Sequence, residues 1–148
     1  MALMKEIGGE CRFVGGVPDD YQRTKELLLH VSKQYDVVFT TGGVSVGEHD
    51  YVAEIIADAG ELVFHRVAIR PGKPLAVGVV NNTPVFALPG KPTGAFAALE
   101  MMVRRYFTDI PRAVQQLEIG EDIVFQERGF KYILFVKKMT GSMVYAKK

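Results

Sequence analysis

Residues 36 to 51, DVVFTTGGVSVGEHDY, change character twice. Asp36 to Thr40 carries no polar alternation across its apolar centre, which predicts a parallel strand covered on both faces. Gly42, Gly43 and Gly47 follow, and from about Asp50 to Ala59 the spacing predicts a helix ended by Gly60. Strand, glycine loop and helix make one βα unit. Such a loop can turn backbone N–H groups toward an anion because no Cβ intervenes. The helix behind it adds partial positive charge, worth roughly 0.3–1 kcal/mol to a negative group. Thr41 and Ser45 offer hydroxyl donors to the same place. The loop does not match the nucleotide pattern G-x-x-x-x-G-K-[ST] or the dinucleotide pattern G-x-G-x-x-G, so neither an NTPase nor a nicotinamide enzyme is indicated. Glycines that only shape a tight βα turn remain the structural alternative.

The periods on either side alternate in the same way. "MALMKEIGGE" reads as the last turns of a helix ended at Gly8, with Leu3, Met4 and Ile7 on one face. A strand and half a helix are expected upstream of Met1. "CRFVG" reads as a short strand. "VPDD" reads as a turn in which Asp20 caps a helix starting near Tyr21. That helix should bury Thr24, Leu27, Leu28 and Val31 and turn Lys25, Lys33 and Gln34 to water. Downstream, "ELVFHRVAI" is extended and "RPGKP" turns. "LAVGVV" and "PVFAL" then form a hairpin around Asn81-Asn82. "PGKP" precedes a long helix, about Thr93 to Phe107. Its small residues Gly94, Ala95, Ala97 and Ala98 should approach the sheet while Phe96, Leu99, Met102 and Val103 fill space. These alternations predict an α/β fold in three layers, a mixed, mostly parallel sheet with helices on both faces. After "TDIPRA" the pattern changes to "EDIVFQ", "FKYILFVKK" and "SMVYAKK", strand-like and without helices. The division expected is an α/β domain over residues 1–109, lacking its first strand, and part of a small β domain over 110–148.

With 148 residues, 48% of them hydrophobic, the chain has material for one real core and a fragment of a second. A net charge of +1 argues against a general nucleic-acid binder. The lysines at 131, 137, 138, 147 and 148 are interleaved with apolar residues, as on a solvated strand face or a frayed terminus. Cys11 is alone, which excludes an internal disulfide and suits a reducing compartment. No apolar run nears the roughly 20 residues of a membrane span, and no signal-like segment opens the chain. A cytoplasmic location is expected, with no membrane partner.

Open α/β sheets bind ligands beyond the carboxyl ends of their strands. Four polar loops compete for that place: 17–20, 41–50, 70–74 and 89–92. Asp19, Glu48 and Asp50 would repel an anion unless a cation lay between, and Mg²⁺ takes both carboxylate and phosphate oxygens. Asp50 and Asp19 can equally serve as helix caps or turn residues. His49 has no histidine neighbours and does not make a zinc site. Lys73 sits in a stiff Gly72–Pro74 turn, and Arg70 offers a forked donor; an oxyanion clamp and a pair of solvated cations both fit. Pro89, Gly90 and Pro92 shape the start of the last helix, and Lys91 either meets phosphate or faces water.

Together, "TTGGVSVGEHDYV", "RPGKPLAVG" and "VFALPGKPTGAF" resemble the molybdopterin-binding domain of MoeA-type molybdenum-insertion enzymes, the molybdopterin molybdotransferases, and of their gephyrin-like relatives. The resemblance covers most of residues 1–109, and the tail resembles the start of the family's small β domain. It implies a transferase of molybdenum cofactor biosynthesis that uses molybdate to cleave adenylylated molybdopterin, releasing AMP. Asp19, Asp50, Arg70 and Lys73 would be the catalytic positions, with Asp50 and Glu48 as Mg²⁺ ligands. Thr41, Gly42, Gly43, Ser45, Gly47, Pro89, Gly90, Lys91 and Pro92 would hold the pterin. A homodimer and contact with other proteins of the same synthesis are further implications. Arg70 stands where the family commonly has Lys, and Lys91 where it commonly has Asn. The family's upstream strand and its T-G-x-E-like loop do not occur in this sequence, which leaves activity of this chain alone open. A noncatalytic molybdopterin-binding or scaffolding module and a molybdopterin adenylyltransferase-like enzyme are the competing readings.

Overall fold

The computed structural model describes residues 2–6, 8–43, 51–108, 132–136 and 143–147. Strands Val38–Thr41 (β1), Glu61–His65 (β2), Ala76–Val80 (β3) and Thr83–Leu88 (β4) form a sheet in the order β1-β4-β3-β2. β1 and β4 are parallel, with Val38 opposite Val85 and Thr41 opposite Leu88. β3 runs against both its neighbours, so β1, β4 and β2 point one way and β3 alone the other. The mixed sheet matches expectation. Its parallel character lies in strand direction more than in pairing, since only the β1–β4 ladder is parallel.

The hairpin forms where Asn81-Asn82 placed it. Both asparagines have positive φ, 51° and 62°, the pair of values that lets a two-residue turn follow the strands' twist. β4 is buried on both faces, as its apolar run requires. Val85 and Ala87 meet one core with Ile55, Ile56, Leu28 and Val31, from helices Tyr21–Val31 (α2) and Tyr51–Ala59 (α3). Phe86 and Leu88 meet the other, with Met4 of Ala2–Glu6 (α1) and with Leu75, Ala98 and Val103. Phe39 stacks on Phe86 at 5.4 Å between centroids and joins β1 to that second core. Helix α1 closes as expected at Gly8, whose φ is 80°. Gly8 N–H bonds the Lys5 carbonyl and Gly9 N–H the Met4 carbonyl, the paired closure of a helix ended by a left-handed glycine.

Two expectations fail. Residues 10–18 form no strand: "CRFVG" has no ladder partner among the described residues, and Phe13 and Val14 stand 75% and 49% exposed. An apolar run becomes a strand only when another strand takes its N–H and C=O groups. The last helix is also not one α-helix. Pro92–Ala98 (α4) passes through a π-helical turn, Leu99–Val103, into Arg104–Phe107 (α5). The π turn inserts an extra residue and shifts the inward face. Glu100 and Val103 are therefore buried, whereas Phe96 and Met102, expected inside, are each 37% exposed.

In the tail, Tyr132–Val136 (β5) pairs antiparallel with Met143–Lys147 (β6) as a separate two-stranded sheet. "EDIVFQ" and the expected boundary at 109–113 lie outside the described residues. Among the described residues no helix is long and apolar enough to cross a membrane.

Candidate ligand-binding edge

Sheet topology alone gathers three of the four polar loops. β1 and β4, parallel neighbours, end together at Thr41 and Leu88, and release the chain into Gly42–Gly43 and Pro89–Pro92. β3 begins at that edge with Ala76 opposite Ala87, and β2 ends there with His65 opposite Ala76. The 66–75 segment must therefore lie along the same edge. Its base is tied by Arg66 N–H to the Leu75 carbonyl (2.8 Å) and Val67 N–H to the Lys73 carbonyl (2.9 Å). The Arg70–Pro71 peptide is cis.

The loops touch through backbone that side chains would keep apart. Thr41 Oγ1 donates to the Pro89 carbonyl at 3.4 Å. A Cβ on Gly90 would lie 3.4 Å from Gly42 Cα, which joins the glycine loop to the PGKP loop. Gly42 and Gly43 have φ of 87° and 69°, values that disfavour any other residue. On the other side, a Cβ on Gly94 would lie 3.1 Å from Pro89 Cβ and 3.4 Å from Gly72 N. Gly94 was expected to admit the sheet; it admits the RPGKP loop instead. It is the residue that sequence reasoning undervalued, and its signal is a glycine one turn into a helix beside a second buried glycine, Gly72.

Arg70, Lys73 and Lys91 are exposed along this edge. Lys91 occupies the cap position of α4 with Pro92 at its first turn, and its own side chain makes no capping hydrogen bond. Among the described residues the edge supplies glycine backbone, hydroxyls and cations, a set suited to oxyanions.

The fourth loop behaves differently. Asp20 caps α2, its carboxylate accepting from Arg23 N–H at 2.8 Å, as expected. Asp19 beside it is exposed, and no hydrogen bond joins it to the three loops among the described residues. Tyr21, the next residue, donates to Asp58 at 3.1 Å, near the end of α3 remote from the glycine loop. Lys25 pairs with the same carboxylate. The hydrogen bond from Lys25, then that from Tyr21, lowers the Asp58 pKa; the bond to Asp58 raises that of Lys25. Desolvation first, and then Asp58, raises that of Tyr21. This cluster clamps α2 to α3 and takes no part in the loop edge. Ser45, Gly47, Glu48, His49 and Asp50 lie outside the described residues. Among the described ones no three His, Cys, Asp or Glu side chains gather as a metal site.

Against known proteins, the family described as "probable molybdopterin binding domain" matches residues 1–109. A molybdopterin molybdenumtransferase of Staphylococcus aureus is 36% identical over 104 residues, 70% of this chain and 25% of that protein. That of Haemophilus influenzae is 33% identical over 102 residues, 69% of this chain and 25% of that protein. The crystal structure of a molybdopterin biosynthesis MoeA protein from Pyrococcus horikosii superposes with a TM-score of 0.71 at 30% identity, covering 99% of this chain and 37% of that one. The chain spans about a quarter of the length of these curated relatives.

Proposed function

The chain belongs to the molybdopterin-binding domain family, and we propose that it serves molybdenum cofactor biosynthesis by holding adenylylated molybdopterin while molybdate displaces the adenylate and AMP leaves. The observation that carries this reading is the meeting of the three loops through Thr41–Pro89, Gly42–Gly90 and Gly72–Gly94. In it, Gly42, Gly43, Ser45 and Gly47 cradle the pterin phosphate with their amides, and Thr41 keeps the PGKP loop against them. Pro89, Gly90 and Pro92 shape the opposite wall, with Lys91 at its rim. Arg70 and Lys73 take the oxyanion charge of molybdate or phosphate, which grows less tolerable as the site loses water. Asp50 and Glu48 are the carboxylates assigned to Mg²⁺, and Asp19 is assigned as polar support for Asp50. The described residues do not make up a donor set for the metal, so no step is routed through it. The same reading takes residues 1–109 as the ligand domain and 110–148 as the start of a β domain, in a cytoplasmic homodimer that works beside other proteins of the synthesis.

The same loop contacts would equally serve a second reading, a module that binds molybdopterin without turnover. One experiment separates the two. Adenylylated molybdopterin is incubated with the chain, molybdate and Mg²⁺, and both bound pterin and released AMP are measured. Molybdate-dependent AMP release supports insertion; binding without AMP supports the module. Absence of both would overturn the assignment.

A further inference from the structure

The last helix holds an acid that the proposed chemistry does not use. Glu100 is buried, 4% exposed, inside the π turn Leu99–Val103. Arg104, one turn on, grips it with Nε at 3.0 Å and Nη2 at 3.4 Å. The same guanidinium reaches Glu6 of α1 at 3.3 Å. A carboxylate in that position without its cation would be costly, so the pair must stay matched wherever the helix packs. An α-helix turns about 100° per residue. Replacing the π turn by ordinary α-helix would therefore rotate α4 by about that angle relative to α5. Aromatic contacts fix the α5 end: Tyr106 meets Phe86 at 5.7 Å, and Phe107 meets Phe39 at 6.5 Å between centroids. The rotation would then fall on the first turn of α4. Gly94 would leave its place against Gly72, and Thr93 or Ala95 would put a side chain where even a Cβ stands 3.1 Å from Pro89 Cβ and 3.4 Å from Gly72 N.

We propose that the buried Glu100–Arg104 pair holds the π turn, and that the helix phase so fixed keeps Gly94 against Gly72 and thereby positions the Arg70–Pro74 loop. Glu100 is a positioning residue, acting through the helix on a loop about 9 Å along the axis from it. The functional weight of this rests on that loop's contacting the ligand; the structural statement does not. The test uses the full chain, ¹⁵N-labelled and without ligand, so its failure leaves the proposed function standing.

The double variant Glu100→Leu/Arg104→Leu removes the pair without leaving a lone buried charge, a replacement that often preserves or raises stability. The expected result is a Tm close to the parent's. Amide exchange should be at least about tenfold faster at Gly72, Lys73 and Gly94, but unchanged at Asn81 and Asn82 across the sheet. Glu100→Gln, of the same shape, should move the same amides in the same direction should the double variant not fold. Arg104→Lys, which keeps a cation for Glu100, should leave them near parental rates. Parental exchange at Gly72, Lys73 and Gly94 in both Glu100 variants overturns the proposal. So does an equal change at both ends of the sheet, which would make the pair merely a stabilising one.

Discussion

The two ends of the sheet are built by opposite means. At the hairpin end, side chains lock the turns: Asn81 Nδ2 donates to the Leu29 carbonyl at 3.2 Å and to Ser32 Oγ at 2.9 Å. Thr83 Oγ1 donates to the Ser32 carbonyl at 2.6 Å, itself buried. At the loop end the described contacts come from missing side chains, glycine against glycine, joined by the 3.4 Å hydroxyl bond from Thr41 to the Pro89 carbonyl. Arg70, Lys73 and Lys91 are exposed there. The hairpin end is closed by side-chain hydrogen bonds, the loop end by close approach of backbone to backbone.

Substitutions should separate the two ends. The largest effect is expected from Gly78→Ala, in β3. Its new methyl would lie 2.2 Å from Ile56 Cγ2 and 2.4 Å from the Glu61 carbonyl oxygen, so backbone must move. A loss of at least about 3 kcal/mol in chemical denaturation is expected. Pterin affinity of the folded fraction should stay parental. Thr83→Val keeps shape but leaves the Ser32 carbonyl without its donor, and should cost about 1–3 kcal/mol, again without touching affinity. Gly90→Ala reverses the balance: its methyl meets Gly42 at an ordinary contact distance. Stability should stay within about 1 kcal/mol, while the methyl narrows the gap between the two loops and weakens pterin binding in calorimetry.

The smallest effect belongs to the clamp on α2. A lowered Asp58 pKa makes the carboxylate's contribution fully present above its ordinary value of 3.8 and lost as pH falls through the depressed one. A raised Lys25 pKa makes that group's contribution present below 10.5 and lost as pH rises through the elevated one. Thermal melts of Asp58→Asn should show a slightly flatter dependence on pH at both extremes, and little change near neutrality, since the pair lies at the surface with Asp58 about half exposed.

Local signals carried far into the molecule. The left-handed Gly42-Gly43 pair, the Asn81-Asn82 hairpin, the Asp20 cap and the Gly8 closure each depend on a few adjacent residues, and each stands where its residues placed it. What escaped depends on partners distant in sequence. "CRFVG" has strand-like residues, yet a strand exists only when another accepts it. Leu99–Val103 looks like ordinary helix because π and α turns use the same residues; burial of Glu100, opposite Arg104, is what reveals the shift. The loops 41–43, 70–74 and 89–92 were legible as polar breaks, but their meeting required the parallel β1–β4 ladder, a pairing no local pattern encodes.

The central claim is that the loop edge binds the anionic pterin through Arg70 and Lys73. Calorimetric titration of adenylylated molybdopterin, without molybdate, into the parent chain and into Arg70→Ala/Lys73→Ala tests it most directly. Two charge-assisted bonds at about 1.5–3 kcal/mol each, with 1.4 kcal/mol per tenfold, predict a loss of at least about 100-fold in affinity, while Tm stays within a few degrees of the parent's. Equal affinity for the two proteins, or no binding by the parent, would contradict it.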